Sequence, residues 1–289
     1  MRFEVDNTCN VCDQKLDKLI EKLECVSLKA ITWFKLNYMK LNEDKCHLLI
    51  SGHKFENMWA MVVDSMIWES HKVKLLGIHI DNDLNFKYHM HELCNKAGNK
   101  LSALARVSHH FSLDKRRMLM KTFMEAQFSH CPLVWMFHGR TINSRINRLK
   151  ERALRIVYED QTSSFEELLK IDNSCTTHQR NIQALAIEMF KTKNNVGPAF
   201  IKNICMEKDD QRYSLRNKEQ FESRNIRTVH RGEDTLRFLG CKIWKIIPDD
   251  IKQSQSVEQF KRLIRQWVPS DCPCRLCKTY VQHIGYINR

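Results

Sequence analysis

Glycine and proline are scarce, with 8 and 5 copies in 289 residues. An all-β chain needs many turns, so this scarcity argues against one and favours helices. Long apolar runs are missing too. No stretch approaches the roughly 20 consecutive apolar residues that a bilayer span requires, so no membrane partner is expected. The opening Met1-Arg2-Phe3-Glu4-Val5-Asp6 lacks the apolar core of a signal peptide. An intracellular protein of the nucleus or cytoplasm, not a secreted one, is therefore expected. Internal repeats and low-complexity tracts are also absent.

What is present is a hydrophobic content of 43%, ample for one large domain or two to three small ones. The formal charge is +13, and its Lys and Arg residues are spread along the chain. A basic folded surface attracts polyanions, chiefly nucleic acid. Twelve cysteines occur. Most, such as Cys25, Cys46, Cys94, Cys131, Cys205 and Cys241, are isolated in apolar or helical surroundings, where a reduced thiol serves as a small hydrophobe.

Gln14 to Phe34 reads as an amphipathic helix, with Leu16, Leu19, Ile20, Leu23, Ala30, Ile31 and Phe34 at helical spacing. Three short apolar runs follow: Cys46–Ser51, Met58–Val63 and Val73–Asp81. They predict strands of a small antiparallel sheet. From about Phe86 the pattern turns helical. Tyr88–Val107, Asp114–Phe128 and Thr141–Tyr158 are the clearest segments, and Pro132 breaks the chain before the third. Further helices are predicted over Ser164–Lys170, His178–Lys193 and Val257–Trp267. The polar stretch from Cys205 to Arg231 carries no such pattern.

Several blocks resemble one family. Leu36-Asn37-Tyr38-Met39-Lys40-Leu41-Asn42-Glu43-Asp44-Lys45-Cys46-His47 is very similar to the segment after the catalytic aspartates in non-LTR, jockey-like retrotransposon reverse transcriptases. Trp68-Glu69-Ser70 followed by Val73-Lys74-Leu75-Leu76-Gly77, then Arg152-Ala153-Leu154-Arg155-Ile156-Val157-Tyr158, then Cys272-Pro273-Cys274-Arg275-Leu276-Cys277-Lys278 resemble it in the same order. The likeness runs from about Phe3 to the C-terminus. It implies a right-hand polymerase of which this chain holds the end of the palm, the thumb and the C-terminal extension. Asn42 and Lys45 would belong to the palm motif that senses the incoming nucleotide. Lys45 would protonate the departing pyrophosphate, a general-acid role. Leu75, Leu76 and Gly77 would form the primer grip. The helices from Tyr88 to Tyr158 would be the thumb, lying along a template–primer duplex of RNA and DNA.

One departure matters. The family's catalytic turn reads Phe or Tyr, Ala, Asp, Asp, often followed by Asn-Thr. Here Phe3-Glu4-Val5-Asp6-Asn7-Thr8 stands in that place. Asp6 matches, but Val5 occupies the position of the first aspartate. The family's other catalytic aspartate falls on an earlier strand, ahead of residue 1. Nucleotidyl transfer uses two divalent ions that clamp the attacking and leaving oxygens. Magnesium, the ion of the parent enzymes, needs oxygen ligands, and Val5 offers none. Asp6 and Lys45 are thus expected as remnants of a site that does not bind Mg2+ and does not polymerise.

Beside this resemblance, the residues themselves point to nucleic acid. Arg145, Arg148, Arg152 and Arg155 alternate three and four apart, which places them on one helical stripe. Ile142, Ile146, Leu149, Ala153 and Ile156 form a neighbouring apolar stripe. Arginine's planar fork suits phosphate oxygens. A solvated shoulder with Glu151 as partner is the plainer reading. Lys115, Arg116 and Arg117 open another helix and offer a weaker contact to the same duplex. Cys272, Cys274, Cys277 and His283 supply four soft or borderline ligands for Zn2+. Cys272 and Cys274 are unusually close for one ion, and the second half of a normal finger is missing. A reduced cysteine-rich tail, or ligands shared with another chain, are the alternatives. Pro248-Asp249-Asp250-Ile251-Lys252 reads as a helix start rather than a nuclease core. His109 and His110 show no metal spacing, and Trp33, Trp59, Trp135 and Trp244 read as core anchors.

The expected architecture is α+β: a small antiparallel palm remnant over 1–87, a helical thumb over 88–160, and a helical extension with a cysteine-rich tail over 161–289. The strands before about Tyr88 are expected to have an unpaired edge and an uncovered apolar face. The expected function is that of a reverse-transcriptase fragment, inactive alone, that retains nucleic-acid binding. The alternatives are a domesticated RNA- or DNA-binding module, or an accessory half that complements a separate palm.

Overall fold

The computed structural model describes residues 7–52, 57–198, 201, 221, 232–269 and 272–277. Asp6 and His283 lie outside the described residues, as do Phe3 to Val5 and most of 205–231. Two small antiparallel two-stranded sheets precede a long run of helices, which makes the chain α+β. It divides into two compact units, Met1–His89 and Met90–Arg289.

In the first unit, α1 (Leu16–Leu36) uses its apolar stripe as the sequence predicts. Leu16, Leu19, Ile20 and Leu23 pack against Leu48, Ile50, Ala60 and Ile67. The run at Cys46–Ser51 forms no strand. Its one ladder contact is an isolated parallel bridge between Leu48 and Glu69, and Ser70 N–H donates to the Leu48 carbonyl at 2.8 Å. The Met58–Val63 run becomes β1 (Trp59–Val62), paired with β2 (Ser65–Trp68) in a register that sets Trp59 opposite Trp68 and Met61 opposite Met66. Period-two alternation turns Ala60 and Ile67 toward α1 and leaves those four large side chains on the outer face. All four are exposed, Trp68 by 56%, so the hairpin does carry an uncovered apolar face. Val73–Asp81 is not one strand but a second hairpin, β3 (Lys72–Leu75) with β4 (Ile78–Asp81). Leu76 and Gly77 form its turn with φ of 45° and 87°. Two successive positive φ values match the right-handed twist of the flanking strands.

Helices dominate the rest: α2 (Lys87–Val107), α3 (Leu113–Phe123), α4 (Pro132–Trp135), α5 (Arg140–Tyr158), α6 (Phe165–Asp172), α7 (Thr177–Lys193), α8 (Leu236–Ile246), α9 (Asp249–Lys252) and α10 (Val257–Ile264). The helix expected over Asp114–Phe128 stops at Phe123 and continues as a 3-10 turn over Glu125–Phe128. That break lets Glu125 turn inward to Lys150 and Arg180, at 3.1 and 2.8 Å. Two apolar cores follow. One joins Leu101 and Leu104 of α2, Met120 of α3, Leu154 and Val157 of α5 and Leu168 of α6. The other joins α7, α8 and α10 through Ile182, Leu185, Met189, Ile243, Trp244, Phe260 and Ile264, and it includes Cys272 and Cys274. Trp135 and Trp244 are core anchors as expected, whereas Trp33 and Trp59 are 52% and 41% exposed. Those two sit on faces of α1 and β1 that nothing described in their unit covers. Pro248 precedes α9, whose first turn carries Asp249 and Asp250, as a helix start does.

Candidate metal centre

Helix α7 begins with a capping box. Thr176 Oγ1 accepts the Gln179 N–H, and Gln179 Oε1 accepts the Thr176 N–H at 2.8 Å. This fixes the first turn, so His178 is held in one place. Five residues on, buried Gln183 donates to the carbonyls of Arg265 and Trp267, at 3.3 and 3.0 Å. The chain leaving α10 is thereby tied to α7. It then brings Cys272, Cys274 and Cys277 to His178. Their sulfurs lie 3.8, 3.2 and 3.4 Å from His178 Nε2, and the four ligand atoms are all within 4.8 Å of one another. A tetrahedral ion such as zinc, with bonds of about 2.3 Å to sulfur and about 2.0 Å to nitrogen, sets its ligands about 3.5 to 3.8 Å apart. The group therefore has the size and donor set to hold a metal ion. His178, Cys272 and Cys274 are buried and Cys277 is half-buried.

Local geometry explains how so short a cysteine run converges. Residues 275–277 form one helical turn. The Cys277 N–H donates to Cys274 Sγ at 3.4 Å, which folds the two sulfurs toward one point. Arg275 on this turn reaches Asp234 at 3.2 Å and anchors it from outside. The close spacing of Cys272 and Cys274 is thus no obstacle to a shared ion. Burial opposes a charge on His178, but hydrogen bonds that the ring donates to Cys272 and Cys274 prevail and hold its pKa up at about 9. Hydrogen bonds donated by Cys272 and Cys277 draw the Cys274 thiol far below its ordinary range, and donating to Cys272 and Cys274 pushes Cys277 up. Four lone-pair donors crowded in this way are stabilised by a positive centre among them.

His178 is the ligand that sequence reasoning missed. It lies 94 residues before Cys272 and is one of 13 histidines. The signal that could have found it was a histidine in the first turn of a well-capped helix, where the helix dipole also favours thiolates.

The other expected site residues fall as follows. Asn42 and Lys45 are exposed, at the start and end of a single 3-10 turn, with Lys45 N–H donating to the Asn42 carbonyl at 3.2 Å. Leu75 ends β3, and Leu76 and Gly77 are the exposed turn of its hairpin. On α5, Ile142, Ile146, Lys150, Ala153, Leu154 and Val157 face inward. The arginine stripe runs on the other side. Arg145 donates to Asn95 Oδ1 at 2.7 Å and meets His91 at 2.9 Å. Arg155 pairs with Glu151 at 2.7 Å, as its solvated-shoulder reading anticipated. Between these two, Arg148 and Arg152 are exposed. In the Lys115–Arg117 cluster only Lys115 is exposed. Arg116 is buried against Glu159, and Arg117 holds buried Asp172 at 3.0 Å. Both are occupied inside the protein. The isolated thiols behave as small hydrophobes where they are buried: Cys94 is one, and burial pushes its pKa up.

Comparison with protein-family models, with curated proteins and with solved structures gives no match to this chain. Among the described residues no second group of three or more His, Cys, Asp or Glu converges on a common point. No helix among them is long and apolar enough to cross a membrane.

Proposed function

We propose that this chain binds nucleic acid as the thumb and C-terminal extension of a non-LTR retrotransposon reverse transcriptase, and that one zinc ion staples its last helices together. The observation that carries the nucleic-acid reading is the α5 stripe. Arg148 and Arg152 are exposed, Arg152 donating to Ser102 Oγ at 3.4 Å, while Arg145 and Arg155 flank them, tied to Asn95 and Glu151. Four guanidinium groups on one stripe form a row suited to a phosphate backbone. The chain's charge of +13 adds a long-range attraction of the same sign. The ordered resemblance from Leu36 to Cys277 gives this row its place along a template–primer duplex.

Zinc is the ion that fits the metal centre best. Three thiolates and an imidazole are a soft, closed set, which selects zinc over magnesium and leaves no open position for a substrate. Its role is structural: it joins the 272–277 segment to the first turn of α7. Polymerisation by this chain is not expected, because Val5 stands where the family has a metal-binding aspartate.

A filter-binding titration across salt, run beside primer extension on an RNA template with magnesium, tests the reading. Binding without extension is the expected result. Arg148→Ala with Arg152→Ala should weaken binding and lower the salt slope by about 2, one per lost phosphate contact. An unchanged slope in this double variant would remove α5 from the interface. Extension that persists in Asp6→Ala would show that other residues hold the catalytic metals.

A further inference from the structure

The four ligands of the metal centre are not equally sheltered. His178, Cys272 and Cys274 are buried, whereas Cys277 is half-buried. Oxidants attack sulfurs according to their thiolate character and exposure. A cysteine that ligates zinc is a thiolate already, so exposure decides, and Cys277 is the sulfur that solvent meets first. Cys12, Cys25 and Cys131 are exposed as well, yet none of them joins a ligand cluster among the described residues.

A second thiol lies within reach of Cys277. Cys274 precedes the helical turn 275–277, and Cys277 ends it. Three residues along a helix set the α-carbons about 5 Å apart, within the roughly 4.4–6.8 Å that a disulfide spans. The Cys277 N–H donates to Cys274 Sγ at 3.4 Å, which draws that sulfur onto the turn beside Cys277. Both sulfurs approach His178 Nε2, at 3.2 and 3.4 Å, and they lie within 4.8 Å of each other. Cys272 stands outside the turn, behind the fixed φ of Pro273.

We propose that Cys274 and Cys277 form a reversible disulfide on exposure to a peroxide, and that this bond releases the zinc ion and frees residues 272–277 from His178. Cys277 Sγ takes one oxygen of the peroxide, the O–O bond breaks, and the departing hydroxide is protonated to water. Cys274 Sγ then attacks the Cys277 sulfenic acid. The S–S bond forms, the S–O bond breaks, and a second water leaves. Two thiolates have lost one electron each, the peroxide has gained two, and solvent has supplied two protons. A disulfide sulfur has no charge to offer a cation, so only His178 and Cys272 remain of a four-ligand site. Meanwhile Gln183 still ties α7 to the carbonyls of Arg265 and Trp267, at 3.3 and 3.0 Å. The change therefore stays local, and a thiol reductant reverses it.

The switch presupposes the metal centre described above, and the experiment separates the two. The full zinc-loaded chain and its Cys12→Ser/Cys25→Ser/Cys131→Ser variant are titrated with hydrogen peroxide. Released zinc is read with a chromogenic chelator, and disulfides by mass spectrometry of tryptic peptides. Cleavage after Arg275 parts Cys274 from Cys277, so their link appears as a cross-linked pair, and fragmentation tells Cys274 from Cys272. The expected result is one zinc lost for each Cys274–Cys277 disulfide in both proteins, with zinc binding recovered after a dithiol reductant and fresh zinc. Three results overturn the switch and leave the metal centre standing: zinc retained while the exposed thiols oxidise, a link through Cys272 instead, or zinc lost to sulfinic acids that reductant does not restore. A reduced chain that binds no zinc removes the metal centre, and the switch with it.

Discussion

Lys150 is buried on α5, and its ammonium donates to Glu125 at 3.1 Å and to the Cys175 carbonyl at 2.6 Å. Removing one partner of a buried pair strands the other charge, so Lys150→Ala should cost about 3–5 kcal/mol in urea unfolding. Burial alone would raise the pKa of Glu125, but Lys150 and Arg180 outweigh it and hold the carboxyl below its ordinary value of 4.5. A carboxylate with a depressed folded pKa stabilises the protein above the unfolded value, and this is lost as pH falls through the folded one. Stability should therefore decline below about pH 4.5, and Glu125→Gln should flatten that decline; an unchanged acid limb would exclude the ion pair as its source. This cluster shows where residue-level reading stops. Nothing local to Lys150 announces its burial, because its partners come from residues 125 and 175, and Arg180 joins only through Glu125. The clustering of the three cysteines made them candidate ligands despite the close spacing of Cys272 and Cys274, but His178 was not legible, since no local pattern links it to a cysteine 94 positions away.

At the scale of elements, α8 packs tightly on α7 at Gly240. A β-carbon there would lie 2.7 Å from Met189 Sδ, inside the core. Gly240→Ala gains helix propensity of about 1 kcal/mol but overpacks a buried thioether, and a net loss of about 1–2 kcal/mol is expected. Pairing it with Met189→Ala should recover part of the loss in a double-mutant cycle; strict additivity would mean that the two residues do not compete for space. Long periodic helices such as α1, α5 and α7 were legible because their burial follows the 3.6-residue period. Short strands were harder. The β3–β4 hairpin reads as one run because its turn puts Leu76 at positive φ, which a leucine rarely adopts. β2 carries no period-two contrast, since Met66, Ile67 and Trp68 are all apolar while only Ile67 points inward. The same pairing places two tryptophans side by side on the outside, where hydrophobicity alone predicts burial.

For the whole molecule, the metal centre couples composition to stability. Any ligand that binds only the folded state stabilises it in proportion to its free concentration. Chelation should therefore lower the Tm, and zinc but not magnesium should restore it, because thiolates are poor ligands for a hard ion. A Tm indifferent to chelator would mean that the four ligands close the fold through hydrogen bonds alone. The centre also sets an order of events during synthesis. His178 leaves the ribosome 94 residues ahead of Cys272, a lag of about 5 to 20 seconds at the usual elongation rates. For that interval the apolar side of α7, with Ile182, Leu185, Met189 and Phe190, has neither its α10 cover nor its clamp. The helices before α7 can settle as they emerge, whereas this core has to wait for its last segment. On the proposed zinc reading, the nascent chain is most dependent on chaperones late in its synthesis, and zinc depletion is expected to lower the amount of folded protein.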